Sequence, residues 1–309
     1  MSDAFDVSGP ESVRQGTRLL LVSNDAMRAR RRPIAVFAYY IYQLAVSVCV
    51  AWPISRGLAA LFGGHPRGDG VLFDDGGWAL LALRTGYDRV APALWGLVFV
   101  VMIFGAVIGL VPLAALITSI SHVTPETRAP RPRHLAPYVV AAFGPLGYLL
   151  AMGAALELAL LAIAMWTFGA VGAWAEPRWG EARGDQIGAL ACALVLVLAM
   201  IAAVLHDLAR VSVVRYRTRT FGAIRAALRV FRRAPLRVLW SWIWRSSISL
   251  SLVVLVALVV PAFTTRQTLA IIAIAILHQL VVLARVALRA SWLARSLRAA
   301  DRFGAPRRR

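Results

Sequence analysis

Residues 187–208 read IGALACALVLVLAMIAAVLHDL, from Ile187 to Leu208. The first formally charged side chain in this stretch is Asp207. Before it, Leu, Val, Ile, Ala and Met occupy every face of a helix. A soluble surface helix keeps a polar face opposite its apolar stripe, and this one keeps none. About twenty such residues span the ~30 Å hydrocarbon layer of a bilayer. The stretch therefore reads as a membrane-spanning helix.

Similar blocks lie on either side of it. They predict spans at about 34–53, 94–117, 146–168, 238–263 and 269–290, making six with 187–208. The composition agrees, at 60% hydrophobic residues and a mean hydropathy of +0.69, well above the apolar share of soluble domains. The expected fold class is all-α: a polytopic integral membrane protein of about six transmembrane helices, with interfacial amphipathic helices. A cytoplasmic N-terminal segment (1–33) precedes a six-helix domain (34–294) that contains an Arg-rich cytoplasmic loop (209–237). A basic cytoplasmic tail (295–309) follows. An amphipathic pattern between Trp78 and Val90 predicts a short helix on the membrane face.

The stretch from Tyr138 to Ala175 is longer than one ordinary span. As one helix it would be about 57 Å long, too long for a single crossing. It reads either as two spans or as one span preceded by an interfacial helix broken at Gly144-Pro145. Two spans would put the nine arginines of 210–237 opposite the basic N-terminus, against the positive-inside rule. One span is the consistent choice.

Charge then orients the chain. The net charge is +19, and all 34 basic residues are Arg; the absence of Lys points to a GC-rich bacterial genome. Twenty-four arginines fall on the side of the N-terminus and seven on the other, with Arg245, Arg285 and Arg289 inside spans. The Arg-rich side is therefore expected to be cytoplasmic, with both termini there, in a bacterial plasma (inner) membrane. Trp52, Trp95, Trp174 and Trp179 mark the outer interface, and Trp240, Trp242, Trp244 and Trp292 the inner one, where indole rings prefer to sit.

Several function classes are disfavoured. Clustered arginines suit nucleic acid, but these flank apolar blocks, so no nucleic-acid partner is expected. The first apolar block is long enough to span and follows about 33 mostly polar residues, which argues against a cleaved signal peptide. Cys49 and Cys192 lie inside apolar blocks without a CxxC pattern. The five histidines, His65, His122, His134, His206 and His278, show no metal-ligand spacing. No phosphate-binding loop, dinucleotide fingerprint, HExxH or GxSxG motif occurs. Neither an enzymatic activity nor a cofactor is expected.

The candidate site residues are the ionisable groups within the apolar blocks. Glu157 and His278 lie near the middle of the third and sixth spans. Asp207 ends the fourth, and Arg285 shares a helix face with His278 and Arg289 through spacings of seven and four. Such groups in hydrocarbon face partners or a water-filled path. Glu157 and His278 lie at matching depths, which suggests a pair. A second candidate is the segment 220–234. Phe221, Ile224, Ala227, Leu228 and Phe231 form one arc of its helical wheel, and Arg225, Arg229, Arg232 and Arg233 the neighbouring one. That pattern predicts an interfacial helix in contact with anionic lipid headgroups of the cytoplasmic leaflet.

The sequence His206-Asp207-Leu208-Ala209-Arg210 closing a span, then an Arg-rich amphipathic helix, a proline and a further span, resembles bacterial six-span membrane proteins. It is also distantly similar to the membrane domain attached to some glycerophosphodiester phosphodiesterases. The resemblance implies a fold and a location. It implies no activity, because the His-Arg-Gly triplet of the catalytic portion is missing. The expected role is a membrane scaffold, anchor or regulatory subunit; the competing expectation is a transporter or permease component for a small solute or lipid.

Overall fold

A computed structural model describes residues 20–21, 27–62, 94–123, 132–260 and 268–304. It is helical apart from one short antiparallel pairing, Leu20–Leu21 (β1) against His122–Val123 (β2). The helices are α1 (Pro33–Phe62), α2 (Leu94–Ser121), α3 (Pro132–Trp179), α4 (Glu181–Tyr216), α5 (Thr220–Arg233), α6 (Pro235–Val259) and α7 (Thr268–Ala299). A π-helical turn, Ala300–Gly304, closes the described chain. All except α5 are long and apolar enough to cross a membrane. The pattern at Trp78–Val90 lies outside the described residues.

The chain divides into two units. In Phe37–Leu113, α1 meets the first part of α2 at Gly105 and Gly109. A β-carbon on Gly105 would lie 3.1 Å from Val46 Cγ1, and one on Gly109 2.9 Å from the Tyr42 hydroxyl. That hydroxyl donates to the Gly105 carbonyl. Small residues four apart let apolar helices approach closely in lipid, where burial supplies no driving force.

The second unit takes the described residues up to Val36 and from Ala114 onward. Its frame is the antiparallel pair α3 and α4. Helix α3 runs for 48 residues, with Pro137, Pro145 and Pro177 inside it, so its length is roughly 72 Å. The break considered at Gly144-Pro145 is absent, and a single unbroken helix cannot fold back as two spans. Gly180, at φ +84°, makes the turn into α4. Just beyond it, a β-carbon on Gly188 would lie 2.8 Å from the Phe168 carbonyl, and one on Gly184 3.1 Å from that of Gly172. Glycine is what lets these two backbones close.

Burial is concentrated at the Arg-rich end. The most apolar windows of the six long helices are at most 17% buried, as expected where lipid can cover apolar side chains. By contrast Leu116, Ile117, Val204, Leu208, Val211, Ala223, Val230, Leu293 and Leu297 are buried together in a dense core. Helices outrun the apolar blocks to build it. Helix α4 continues through Tyr216, α5 fills much of 209–237, and α7 continues to Ala299. Residues expected as an Arg-rich loop and the start of a basic tail are therefore largely helical.

Trp292 differs from its expected place in an interfacial belt. It is 3% exposed, because its indole has a carboxylate partner inside the core.

Candidate functional site

The site grows from Asp207, whose carboxylate sits inside the core. Asp207 and Leu208 lie where α4 leaves its apolar block, so this acid faces helices instead of water. A buried carboxylate is tolerated only with charged or hydrogen-bonding partners. It has them: Arg289 of α7 donates to both oxygens at 2.5 Å, in the two-point geometry natural to guanidinium and carboxylate. The Trp292 indole N–H adds a bond of 2.8 Å, and Arg210 approaches to 3.5 Å. Arg289 and Trp292 are three residues apart on α7, so one helix face delivers both.

A second ion pair joins buried Arg215 to half-buried Asp301. Arg215 donates to both oxygens of Asp301, at 3.0 and 2.8 Å, and to the Ser121 carbonyl at 2.6 Å. The Tyr216 hydroxyl donates to Asp301 as well, at 3.0 Å. This cluster ties α2, α4 and the closing turn together.

Beside Asp207 the His206 imidazole presses on Gly153 of α3, where a β-carbon would lie 2.2 Å from the ring. Its Nε2 is buried without a hydrogen-bond partner. A cleft of about 220 Å³ opens here, lined by Glu157, His206, Asp207, Arg210, Trp242 and Arg289 among others. Glu157 is thus brought towards His206 and Asp207, with no hydrogen bond or ion pair to His278. The His278 imidazole instead pairs with the Ile274 carbonyl one turn back, at 2.9 Å. Depth along the membrane axis does not fix which way a helix faces, and that is why the proposed pairing is not seen.

Arg285 donates to Ser249 of α6 at 3.0 Å, and Arg245 donates to Ser291 of α7 at 3.2 Å. These two arginines staple α6 and α7 from opposite sides. Neither partner was evident from sequence, since serine inside an apolar block carries no distinguishing pattern.

No family model, curated protein or solved structure matches this chain. Among the described residues no group of three or more His, Cys, Asp or Glu is placed to hold a metal.

Helix α5 sorts into three faces. Thr220, Ala223, Ala226, Ala227 and Val230 are buried against the rest of the core. Ala227, expected on the lipid-facing arc, is 1% exposed and belongs to this protein-facing side. Phe221 and Leu228 remain exposed, next to exposed Arg225 and Arg232. Arg229 and Arg233 are exposed as well but reach the closing turn, donating to the carbonyls of Gly304 at 3.2 Å and Phe303 at 2.7 Å. Of the four arginines expected at lipid headgroups, two are thus engaged with the protein.

His122 completes the core. Its Nδ1 lies 2.7 Å from the Ser121 hydroxyl, its ring packs edge-on to Tyr138, and Arg32 donates to its carbonyl at 3.4 Å. Burial, reinforced by the charges of Arg215 and Arg217, pulls its pKa down to about 4, so the ring is neutral at pH 7.

Proposed function

We propose that this chain is a non-enzymatic scaffold, anchor or regulatory subunit of the bacterial plasma membrane, with both termini in the cytoplasm. The Asp207–Arg289–Trp292 cluster supports this most strongly. Charged groups at the ends of spans are spent on holding α4 against α7, and Arg215, Arg245 and Arg285 are similarly used between helices. A buried core among the Arg-rich residues, with apolar helix windows left largely exposed, suits a protein that presents surfaces to partners and lipid. Exposed Phe221, Leu228, Arg225 and Arg232 would seat α5 on an anionic leaflet.

The test is site-specific photocrosslinking in intact cells at exposed apolar positions such as Leu158, Leu194 and Leu255. A scaffold yields a protein adduct of defined mass whose partner leaves the membrane when this chain is deleted. Lipid adducts alone, with partner distribution unchanged, would reject the scaffold.

The cleft at Glu157 favours a second reading, a transporter or permease component. Its test is proton-linked flux in proteoliposomes, lost in Glu157→Gln while folding is retained.

A further inference from the structure

A cavity of about 380 Å³ lies between the start of α6 and the end of α7, with Leu208 and Trp292 in its wall. Its volume falls within the range of small-ligand sites. Four arginines line it: Arg237 from α6, and Arg295, Arg298 and Arg302 from α7 and the closing turn. The last three are spaced by three and four residues, so a single helical face aims them at one space. Among the described residues no carboxylate lines this cavity.

Ser296 gives the second, independent indication. Serine or threonine within a helix commonly returns its hydroxyl to a carbonyl one turn back, as Ser212 does to Leu208 and Thr118 to Ala114. Ser296 does not. It is 1% exposed, lines the cavity, and its Oγ has no hydrogen-bond partner. The first turn of α6 also borders the space, and its N-cap, Ala234, offers no side-chain acceptor for the amides there. Helix N-termini favour anions. The cavity therefore combines converging guanidinium groups, an unpartnered hydroxyl donor and an uncapped helix start.

We propose that this cavity binds a phosphate group. Guanidinium recognises phosphate oxygens through paired N–H donors, the Ser296 hydroxyl donates a further bond, and the α6 amides face the residual charge. Arg298 also donates to the Met27 carbonyl, so an occupied cavity would brace the segment entering α1. The phosphate could belong to an anionic lipid headgroup or to a soluble anion, since both present the same oxygens. The site is distinct from the exposed arginines of α5 and does not depend on the scaffold reading.

The experiment is thermal unfolding of the full chain, in neutral detergent with inorganic phosphate against chloride of equal ionic strength. A parallel series uses nanodiscs of phosphatidylcholine with and without phosphatidylglycerol. Stabilisation by phosphate in detergent identifies a soluble-anion site. Stabilisation only by phosphatidylglycerol identifies a headgroup site. In either case Arg295→Gln with Arg302→Gln should weaken the response at least tenfold, whereas Arg225→Gln with Arg232→Gln should preserve the phosphate response. Ser296→Ala guards against a variant that merely misfolds. It should leave unliganded stability equal or higher, since it removes an unsatisfied hydroxyl, yet weaken the response several-fold. No response to either probe, or a response that the Arg295 and Ser296 variants leave intact, would overturn the proposal.

Discussion

Arg289 holds both carboxylate oxygens of Asp207 at 2.5 Å across 82 residues of sequence. The contact joins the end of one apolar helix to the end of another, and Trp292 seals it from the next turn of α7. Removing one partner of such a pair strands the other charge inside the core, which costs about 3–5 kcal/mol in buried sites. Asp207→Asn and Arg289→Gln should each markedly lower the detergent melting temperature. The double variant should be no worse than the more damaging single one, giving a coupling of about 3 kcal/mol or more, at or above the top of the range usual for contacting residues. Additive losses in this double-mutant cycle would show that the two groups stabilise the fold separately.

Gly153 tests the packing of α3 against α4. Its missing side chain makes room for the His206 ring, so Gly153→Ala should destabilise by about 1–3 kcal/mol, the usual cost of overpacking. His206→Ala should relieve that cost in the double variant. Gly144 is the control: nothing lies within 4 Å of a β-carbon there, and Gly144→Ala should be neutral or stabilise by up to about 1 kcal/mol through helix propensity. Equal destabilisation at both positions, by chemical denaturation in micelles, would contradict the packing.

His122 predicts a pH dependence. Its folded pKa, about 4, is lower than the ordinary 6.5, so the unfolded chain binds more protons between those values. Stability from this group is complete above pH 6.5 and is lost as pH falls towards 4. Melting temperatures measured across that window should decline in the wild type and decline less in His122→Gln. Identical slopes would exclude His122 as the source.

The α5 arginines should divide by role. A basic side chain near an anionic leaflet contributes roughly 1 kcal/mol, so Arg225→Gln with Arg232→Gln should weaken salt-sensitive binding of the α5 peptide to anionic vesicles about thirtyfold or less. In the full chain, Arg229→Gln with Arg233→Gln should release the Phe303–Gly304 turn, read as faster proteolysis near the C-terminus. Vesicle binding that ignores Arg225 and Arg232 would reject the leaflet contact.

The apolar helices were legible in the sequence because the bilayer imposes one length on residues such as 187–208. Asp207 and Arg285 stood out for a related reason, as ionisable groups where solvation is costly. Their partners did not. Helix rotation, which sets whether Glu157 faces His278 or His206, leaves no mark on a stretch apolar all round. The core at the Arg-rich end was hidden for another reason: Ala223, Ala226, Val230 and Ser296 are small residues whose burial depends on close contacts between helices distant in sequence. Gly153 and Gly188 carry their meaning only when the opposing backbone is known. The run 220–234 was legible as amphipathic, but not as a helix with separate protein-facing and outward apolar sides.

Reporter fusions after Arg133, Arg219 and Arg302, and after Asp69 and Arg183, test most directly whether the packed Arg-rich end faces the cytoplasm. The first three should report cytoplasm and the last two the outside, since α3 is one unbroken helix and the arginines divide twenty-four to seven. The fusion after Arg183, at the turn between α3 and α4, is decisive. An outside signal there is the predicted result; a cytoplasmic signal would contradict the six-span arrangement and with it the placement of the Asp207–Arg289 lock.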